Sequence, residues 1–343
     1  MVHFNYQDDY YQAISISRSA NDFHSEAVID AISKADFLID ATTTIEIPRD
    51  LAQRDDVPRS ASVFLTPSGM GSALLMESAD RSLRLDALEA QYYREIISAD
   101  WGKDHLKGHK GRIRVGAGCR DASAIISYEA IQLHAAMLAR QVRLLRDKSS
   151  AYIRVWSDDI VTGALTAYEI PACEPSRFNC GGWHVIMDTG LREKLGAIRM
   201  SHLPNETGGV ILGYIDQKLR HIYVVDVLNA PPDSDADRTG FTRGVEGLKA
   251  ALDKVARRTA NIVGYIGEWH SHPAFTSAYP SRLDHALIKQ LAEKLELDGQ
   301  PALMIIVGST GELSVSVKEA GSREPAYGVS SREREESYEG VTQ

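Results

Sequence analysis

The chain has 343 residues, of which 43% are hydrophobic and 25% charged, and it carries a formal net charge of −9. Such proportions are those of ordinary globular domains, exclude wholesale disorder and, at this length, point to two domains rather than one. The acidic balance, with no long basic stripe to neutralise phosphates, argues against nucleic acid as a partner.

The opening "MVHFNYQDDYYQ" lacks the basic-then-apolar layout of a signal peptide. No apolar run reaches the roughly 18–20 residues of a membrane span, so the expected location is the cytoplasm, away from membranes. "ADFLIDATTT" (35–44) predicts a buried strand with a polar carboxyl end, and "SASVFLTPSGMGSALLM" (60–76) predicts two strands joined by a Pro/Gly turn. Leu88, Tyr92 and Ile96 recur at spacing four and predict a helix over 86–97. A longer helix follows in "DASAIISYEAIQLHAAMLARQVRLL", with Asp121 or Ser123 as its cap. After Asp147 come the short strands "AYIRVWS" and "GALTAYEI", and then "PACEPSRFNCGGW", whose Pro, Gly and Cys content places a domain boundary near residue 175. The three cysteines, Cys119, Cys173 and Cys180, are odd in number and scattered, as in a reduced cytosolic protein.

The second half alternates. A helix is expected over about 188–201, then the Gly-rich strand "TGGVILGYID", the strand "HIYVVDVLNA" and the loop "PPDSDADRTGFTRG". The helix "VEGLKAALDKVARR" leads to the strand "NIVGYIGEWHSHP", and a capped helix starting at Ser281 is followed by the strands "ALMIIVG" and "ELSVSVK". This mixture predicts an α/β layered domain. The charged, Ser/Glu/Arg-rich stretch 321–343 is expected to be a flexible tail.

Chemistry concentrates in "GEWHSHPAFTSAYPSRLDH" (267–285). Alternate side chains of a strand share a face, so His270 and His272 point to one side. Ser281 and Asp284 have capping-box spacing, which would hold the Asp284 carboxylate at a helix start. Two imidazoles and a carboxylate with one open position are the donors of a catalytic zinc, and a hydrolase also needs a base. Glu206, immediately before the Gly208–Gly209 pair, would sit at the mouth of a closely packed strand.

"ETGGVILG", then "WHSHP" with His270 lying 64 residues after Glu206, then Ser-x-x-Asp, resembles the bacterial JAMM (JAB/MPN) metalloproteases over roughly residues 178–320, including "APPDS" and "FTRG". The resemblance implies a cytidine-deaminase-like α/β/α domain over 176–320, acting as a zinc-dependent isopeptidase or peptidase that cuts after the C-terminal tail of a ubiquitin-like protein. It implies zinc on His270, His272 and Asp284, Glu206 as general acid/base and Ser281 as oxyanion stabiliser. The seven residues "AFTSAYP" between Pro273 and Ser281 are one more than the family's usual spacing, and the additional residue is expected to bulge in the loop. Set against this are plainer roles. Ser281 also serves as an N-cap, Glu206 as a solvated acid, and Glu268 and His285 as solvated or supporting neighbours. Trp269 is expected packed, and the six-residue gap between Cys173 and Cys180 fits no common zinc motif even with His184 nearby.

In the first half, "DFLIDATTTIEI", "ASVFLTPSGMGSALLMESADRSLRLDALEAQYYR" and "GAGCRDAS" resemble the C-terminal part of ThiF/MoeB-type adenylation domains over roughly 25–145. The fold class expected overall is therefore α/β: an incomplete ThiF-like α/β domain over 1–175, then the JAMM domain. The nucleotide-binding glycine fingerprint is missing, since "PSGMGS" lies in a turn between strands. Asp40 falls where the family's metal-proximal aspartate lies, but the usual following Asp-Asn is replaced by threonines at 43 and 44, so adenylation by this chain is not expected. Two readings stay open: the chain is a fragment of a longer activating-enzyme and isopeptidase fusion, or this half docks the modifier or a conjugating or activating enzyme, with homodimerisation through it also open. Cys119 is expected to be a buried structural thiol rather than a thioester-forming one. Competing readings are a non-catalytic scaffold, an adenylyltransferase, and a nucleoside deaminase; the last would need a Cys-x-x-Cys pair that is absent from the sequence.

Overall fold

The computed structural model describes residues 25–42, 44–108, 126–159 and 161–330. Cys119 and the expected caps Asp121 and Ser123 lie outside these residues, as does the stretch 331–343. The first part of the chain runs α1 (Glu26–Ser33), β1 (Leu38–Asp40), α2 (Glu46–Ala52), β2 (Ser60–Leu65), β3 (Gly71–Met76), α3 (Leu85–Ser98), α4 (Tyr128–Leu145), β4 (Tyr152–Asp159) and β5 (Ala164–Ile170). Its five strands form one sheet in sequence order, with β1 parallel to β2 and the remaining pairs antiparallel.

One face of this sheet is covered by α4, whose buried stripe His134, Leu138, Val142 and Leu145 follows the helical repeat and packs on Leu74, Met76 and Trp156. Ser127 caps α4 by accepting from the Ala130 amide, so the helix starts C-terminal to both expected caps. The other face is covered by α3. Leu88, Tyr92 and Ile96 are buried as their spacing predicts, but so are Asp86, Glu89 and Gln91. The reason is that α3 is wedged between two sheets: its cluster takes Phe64, Leu75 and Val155 from the first and Val210, Leu212 and Tyr223 from the second.

The second sheet is built from β6 (Pro175–Cys180), β7 (Trp183–Asp188), β8 (Thr207–Asp216), β9 (His221–Val227), β12 (Gly264–Ser271), β13 (Ala302–Val307), β14 (Leu313–Lys318), β15 (Ala326–Tyr327) and β16 (Val329–Ser330). Between them lie α5 (Thr189–His202), the short hairpin β10 (Asp235–Ala236) and β11 (Phe241–Thr242), α6 (Leu248–Arg258) and α7 (Arg282–Leu295). The order across the sheet is β15-β14-β13-β12-β8-β9-β7-β6-β16 among the described residues. Leu191 and Leu195 of α5 sit in the cluster on one face with Ile211, Trp269 and Ile305, whereas α7 packs Ile288 and Leu291 on Met304 and Ile306 of the opposite face.

Three stretches differ from the sequence reading. "PACEPSRFNCGGW", read only as marking a boundary, contributes a strand and turn from residue 175 onward: Phe178 and Cys180 point inward and Gly181 and Gly182 take the left-handed turn positions. The loop before α6 contains the β10–β11 hairpin. Residues 326–330, expected within a flexible tail, instead pair with β14 on one side and β6 on the other and so draw the two edges of the sheet together. Among the described residues no helix is long and apolar enough to cross a membrane.

Candidate metal centre

β12 enters the centre of the second sheet, antiparallel to β8 and parallel to β13. Its register sets His270 opposite Gly208 and Ser271 opposite Thr207, and continuing it by one residue brings Glu206 to His272. The Ser271 hydroxyl accepts from the Thr207 amide of β8 at 3.2 Å, and on the other side the His272 amide donates to Val307 O of β13 at 2.9 Å, which keeps β12 in line with both neighbours. The glycines beside Glu206 are needed for closeness: a Cβ at Gly209 would collide with Leu228 O, and one at Gly208 with the Phe241 ring.

His270 and His272 lie on one face with ring centroids 5.4 Å apart. On that same face α7 begins, and its capping box is complete: the Ser281 amide donates to Asp284 Oδ2 at 2.7 Å while the Asp284 amide donates to Ser281 Oγ at 3.3 Å. This leaves Asp284 Oδ1 3.1 Å from His270 Nε2, with His272 Nε2 3.9 Å from Oδ2. One ligand atom from each of the three side chains lies within 4.8 Å of the others, and all three residues are buried. His272 Nδ1 donates to Ser277 O at 2.6 Å, which leaves Nε2 with its lone pair facing the cluster, as a metal ligand requires.

The electrostatics match the geometry. Burial raises the Glu206 carboxyl above its ordinary value, although His270 and His272 pull the other way. Burial also works against the charged form of Asp284, yet hydrogen bonds from His270 and His272 override it and hold that carboxyl well below the carboxylate range. His272 is raised by its bond to Asp284 against the opposing effect of burial. Among the described residues, no Lys or Arg is ion-paired with Glu206 or Asp284. Two carboxylates and two imidazoles, with no Lys or Arg paired to the carboxylates among the described residues, form an acidic set of oxygen and nitrogen donors that a divalent cation would complement. The donor set therefore fits a zinc-type ion with an open position.

The structure gathers His270, His272 and Asp284 into one cluster, with Ser281 at the cap of the helix that carries Asp284 and Glu206 close enough to feel their charges. Ser281 is exposed beside the cluster, and Glu206 lies at the start of β8 with its amide bonded to Asp237 O at 2.8 Å. The neighbours settle differently. Trp269 is buried and bonds Leu228 O. Glu268 is buried rather than solvated, bonded to Arg243 at 2.9 Å and Tyr265 at 3.2 Å. His285 bonds the Tyr327 hydroxyl. Cys180 is buried at the end of β6 in the same sheet, its thiol pushed up to about 12 by burial, and no second metal cluster forms among the described residues. In the first half, the Asp40 carboxylate is taken up by Thr42 and Ser62.

Sequence comparison decides the family of this region: residues 188–318 match the model of prokaryotic homologs of the JAB domain. Residues 188–318 form a JAB domain. The JAB domain is similar to a CD-NTase/cGAS isopeptidase of Enterobacter hormaechei, 36% identical over 121 residues, which cover 34% of this chain and 65% of that protein. A CD-NTase/cGAS isopeptidase of Escherichia coli is 25% identical over 126 residues, 36% of this chain and 76% of the relative. A Sinorhizobium fredii protein named probable metalloprotease y4qB is 24% identical over 102 residues, 30% of this chain and 62% of that protein. The chain thus spans just under two thirds of the Enterobacter relative's length. The solution structure of protein DSY2949 from Desulfitobacterium hafniense covers 40% of this chain and 86% of its own, at 22% identity and a TM-score of 0.27, an overlap too loose to bear on the assignment.

Sequence reasoning overlooked the supports of the JAB domain's ligand loop. Arg199 of α5 reaches the backbone after His272, and Glu312 holds the Ala278 amide at 3.0 Å. A signal for the first was present: Arg199 continues the Leu191, Leu195 spacing and so stands on the inward stripe of α5.

Proposed function

We propose that the chain is a zinc-dependent isopeptidase or peptidase that hydrolyses the amide bond after the C-terminal tail of a ubiquitin-like protein, in deconjugation or maturation. The observation that carries this reading is the convergence of His270, His272 and Asp284 with Glu206 across the β8–β12 pair. The names of the similar proteins, isopeptidase and metalloprotease, support the same class of reaction.

His270, His272 and Asp284 would hold the ion, which when bound supplies Lewis acidity and acidifies water. Glu206 accepts the proton of the attacking water and returns it to the departing amine, a task suited to a carboxyl whose pKa burial has raised toward the operating pH. The Ser281 oxygen accepts from the Asp284 amide, so its O–H is available to donate to the oxyanion that develops on the scissile carbonyl. Asp284 keeps both imidazoles oriented while anchored by its own helix cap.

The half before residue 175 serves in this reading as a docking module for the modifier or for a conjugating or activating enzyme. A modifier conjugate of a CD-NTase is the first target to try, on the strength of the relatives' names. Incubating the full chain with a modifier-fusion substrate tests the reaction: cleavage should stop with chelator and return with added Zn2+. Equal cleavage with and without chelator would refute the metal mechanism.

A further inference from the structure

Arg199 is 3% exposed, and among the described residues no carboxylate lies within ion-pair distance of it. An arginine buried without an acid is expensive in free energy unless its donors are used. Here they are used on backbone: Nε donates to His272 O at 2.8 Å, Nη2 to Pro273 O at 3.0 Å and Nη1 to Ser309 O at 3.4 Å. β12 ends at Ser271 and β13 at Val307, so these three carbonyls lie just past the last rung of strand pairing, where the guanidinium takes the place of a missing neighbour.

A second charged group holds the other end of the same loop. Glu312, from the turn between β13 and β14, accepts from the Ala278 amide at 3.0 Å and from the Thr310 amide at 2.8 Å, and the Ser309 amide bonds Thr276 O at 2.9 Å. The stretch 272–278 is therefore fixed at both stems. Within it lies Ser277 O, the acceptor that holds the His272 ring by Nδ1. Phe275, between the two stems, is fully exposed in a left-handed conformation.

Building on the metal reading above, we propose that Arg199 and Glu312 are positioning residues of the metal centre, clamping the two stems of the 272–278 loop so that His272 presents Nε2 to the ion. Their effect runs through Ser277 O and the His272 backbone, and neither touches substrate. A role confined to fold stability would lower the melting temperature of the metal-free protein and leave the affinity of the folded protein for metal unchanged.

The test is competition for Zn2+ between the full-length protein and a chromophoric chelator, with thermal melts of the metal-free forms alongside. Removing an outer partner of a metal-bound histidine typically weakens binding by about 10–100-fold, and Arg199→Met and Glu312→Ala should each fall in that range. Arg199→Lys, which can still reach one or two of the carbonyls, should recover part of the loss, and it keeps the test decisive should the methionine variant fail to fold. Affinities of Arg199→Met or Arg199→Lys and of Glu312→Ala all within about threefold of wild type would overturn the inference while leaving the metal site intact, because the typical second-partner effect is at least tenfold. A wild-type protein that binds no Zn2+ would instead remove the metal reading, and this inference with it.

Discussion

Two groups of carboxylates in this protein, one buried and the other pairing buried Asp284 with half-buried Glu206, have opposite surroundings. On α3, Asp86 meets Arg177, Gln53 and the Tyr223 hydroxyl, and Glu89 meets the Arg49 guanidinium and Tyr93, with Arg49 lying 4.3 Å from the Tyr214 ring centre. At the end of β12, Asp284 meets two imidazoles and its own helix cap, and Glu206 stands near them without a cationic partner among the described residues. A carboxylate answered by a guanidinium is electrically complete, whereas one set among imidazole nitrogens offers a donor group to a cation. The first group joins two sheets; the second is arranged to bind and react.

That contrast can be broken most sharply at Glu206. Glu206→Gln should keep the bound metal and lower turnover by roughly 10²–10⁴-fold, the usual contribution of a general acid/base, in a cleavage assay paired with metal analysis. Retained turnover would place Glu206 among the inert acids. The opposite behaviour is expected on α3. Arg49→Met removes the guanidinium that answers the buried Glu89 carboxylate, and urea unfolding should show a loss of about 3–5 kcal/mol, with the metal affinity of the folded protein unchanged.

Ser281 belongs to both categories, as cap and as proposed oxyanion donor. Ser281→Ala should cost about 0.5–2 kcal/mol of stability through the cap and, if the hydroxyl acts in the reaction, about 10²-fold or more in turnover. A stability loss with unchanged turnover would leave it a cap alone. A further effect concerns pH. Burial lowers the His105 imidazole to about 4, with Nε2 bonded to the Tyr92 hydroxyl. Because the unfolded chain takes up this proton below pH of about 6.5 and the folded one does not until about 4, stability present at neutral pH is lost on acidification through that window. The slope from this group is about 1.4 kcal/mol per pH unit, and His105→Gln should flatten it in denaturation series between neutral and acidic pH.

How far the sequence reveals each region follows from the distance between interacting residues. The metal cluster was legible because a strand puts His270 and His272 on one face and a capping box fixes Asp284 within one turn, both of which are local rules. Glu206 needed the Gly208–Gly209 pair as a sign of close strand packing. The α3 network was not legible. Its partners from outside α3 lie 33 to 137 residues away in sequence, and the helical repeat alone assigns Asp86 and Glu89 to a solvent face that the second sheet in fact covers. The β6–β7 hairpin was missed because Gly181 and Gly182 mark a tight turn as readily as a linker, and only the pairing of Phe178 with Val185 distinguishes them. Arg199 was missed because a charged residue on an inward stripe is ordinarily discounted, and its carbonyl partners are 73 to 110 residues away.

The central claim is that His270, His272 and Asp284 together hold a divalent ion. Its most direct test is equilibrium titration of the metal-free full-length protein with Zn2+, beside the His272→Ala variant. The account predicts about one equivalent bound by the wild type, as a single three-ligand catalytic site requires, and loss of that binding in the variant. A wild type that takes up no stoichiometric Zn2+, or a variant that binds it as tightly, would contradict it.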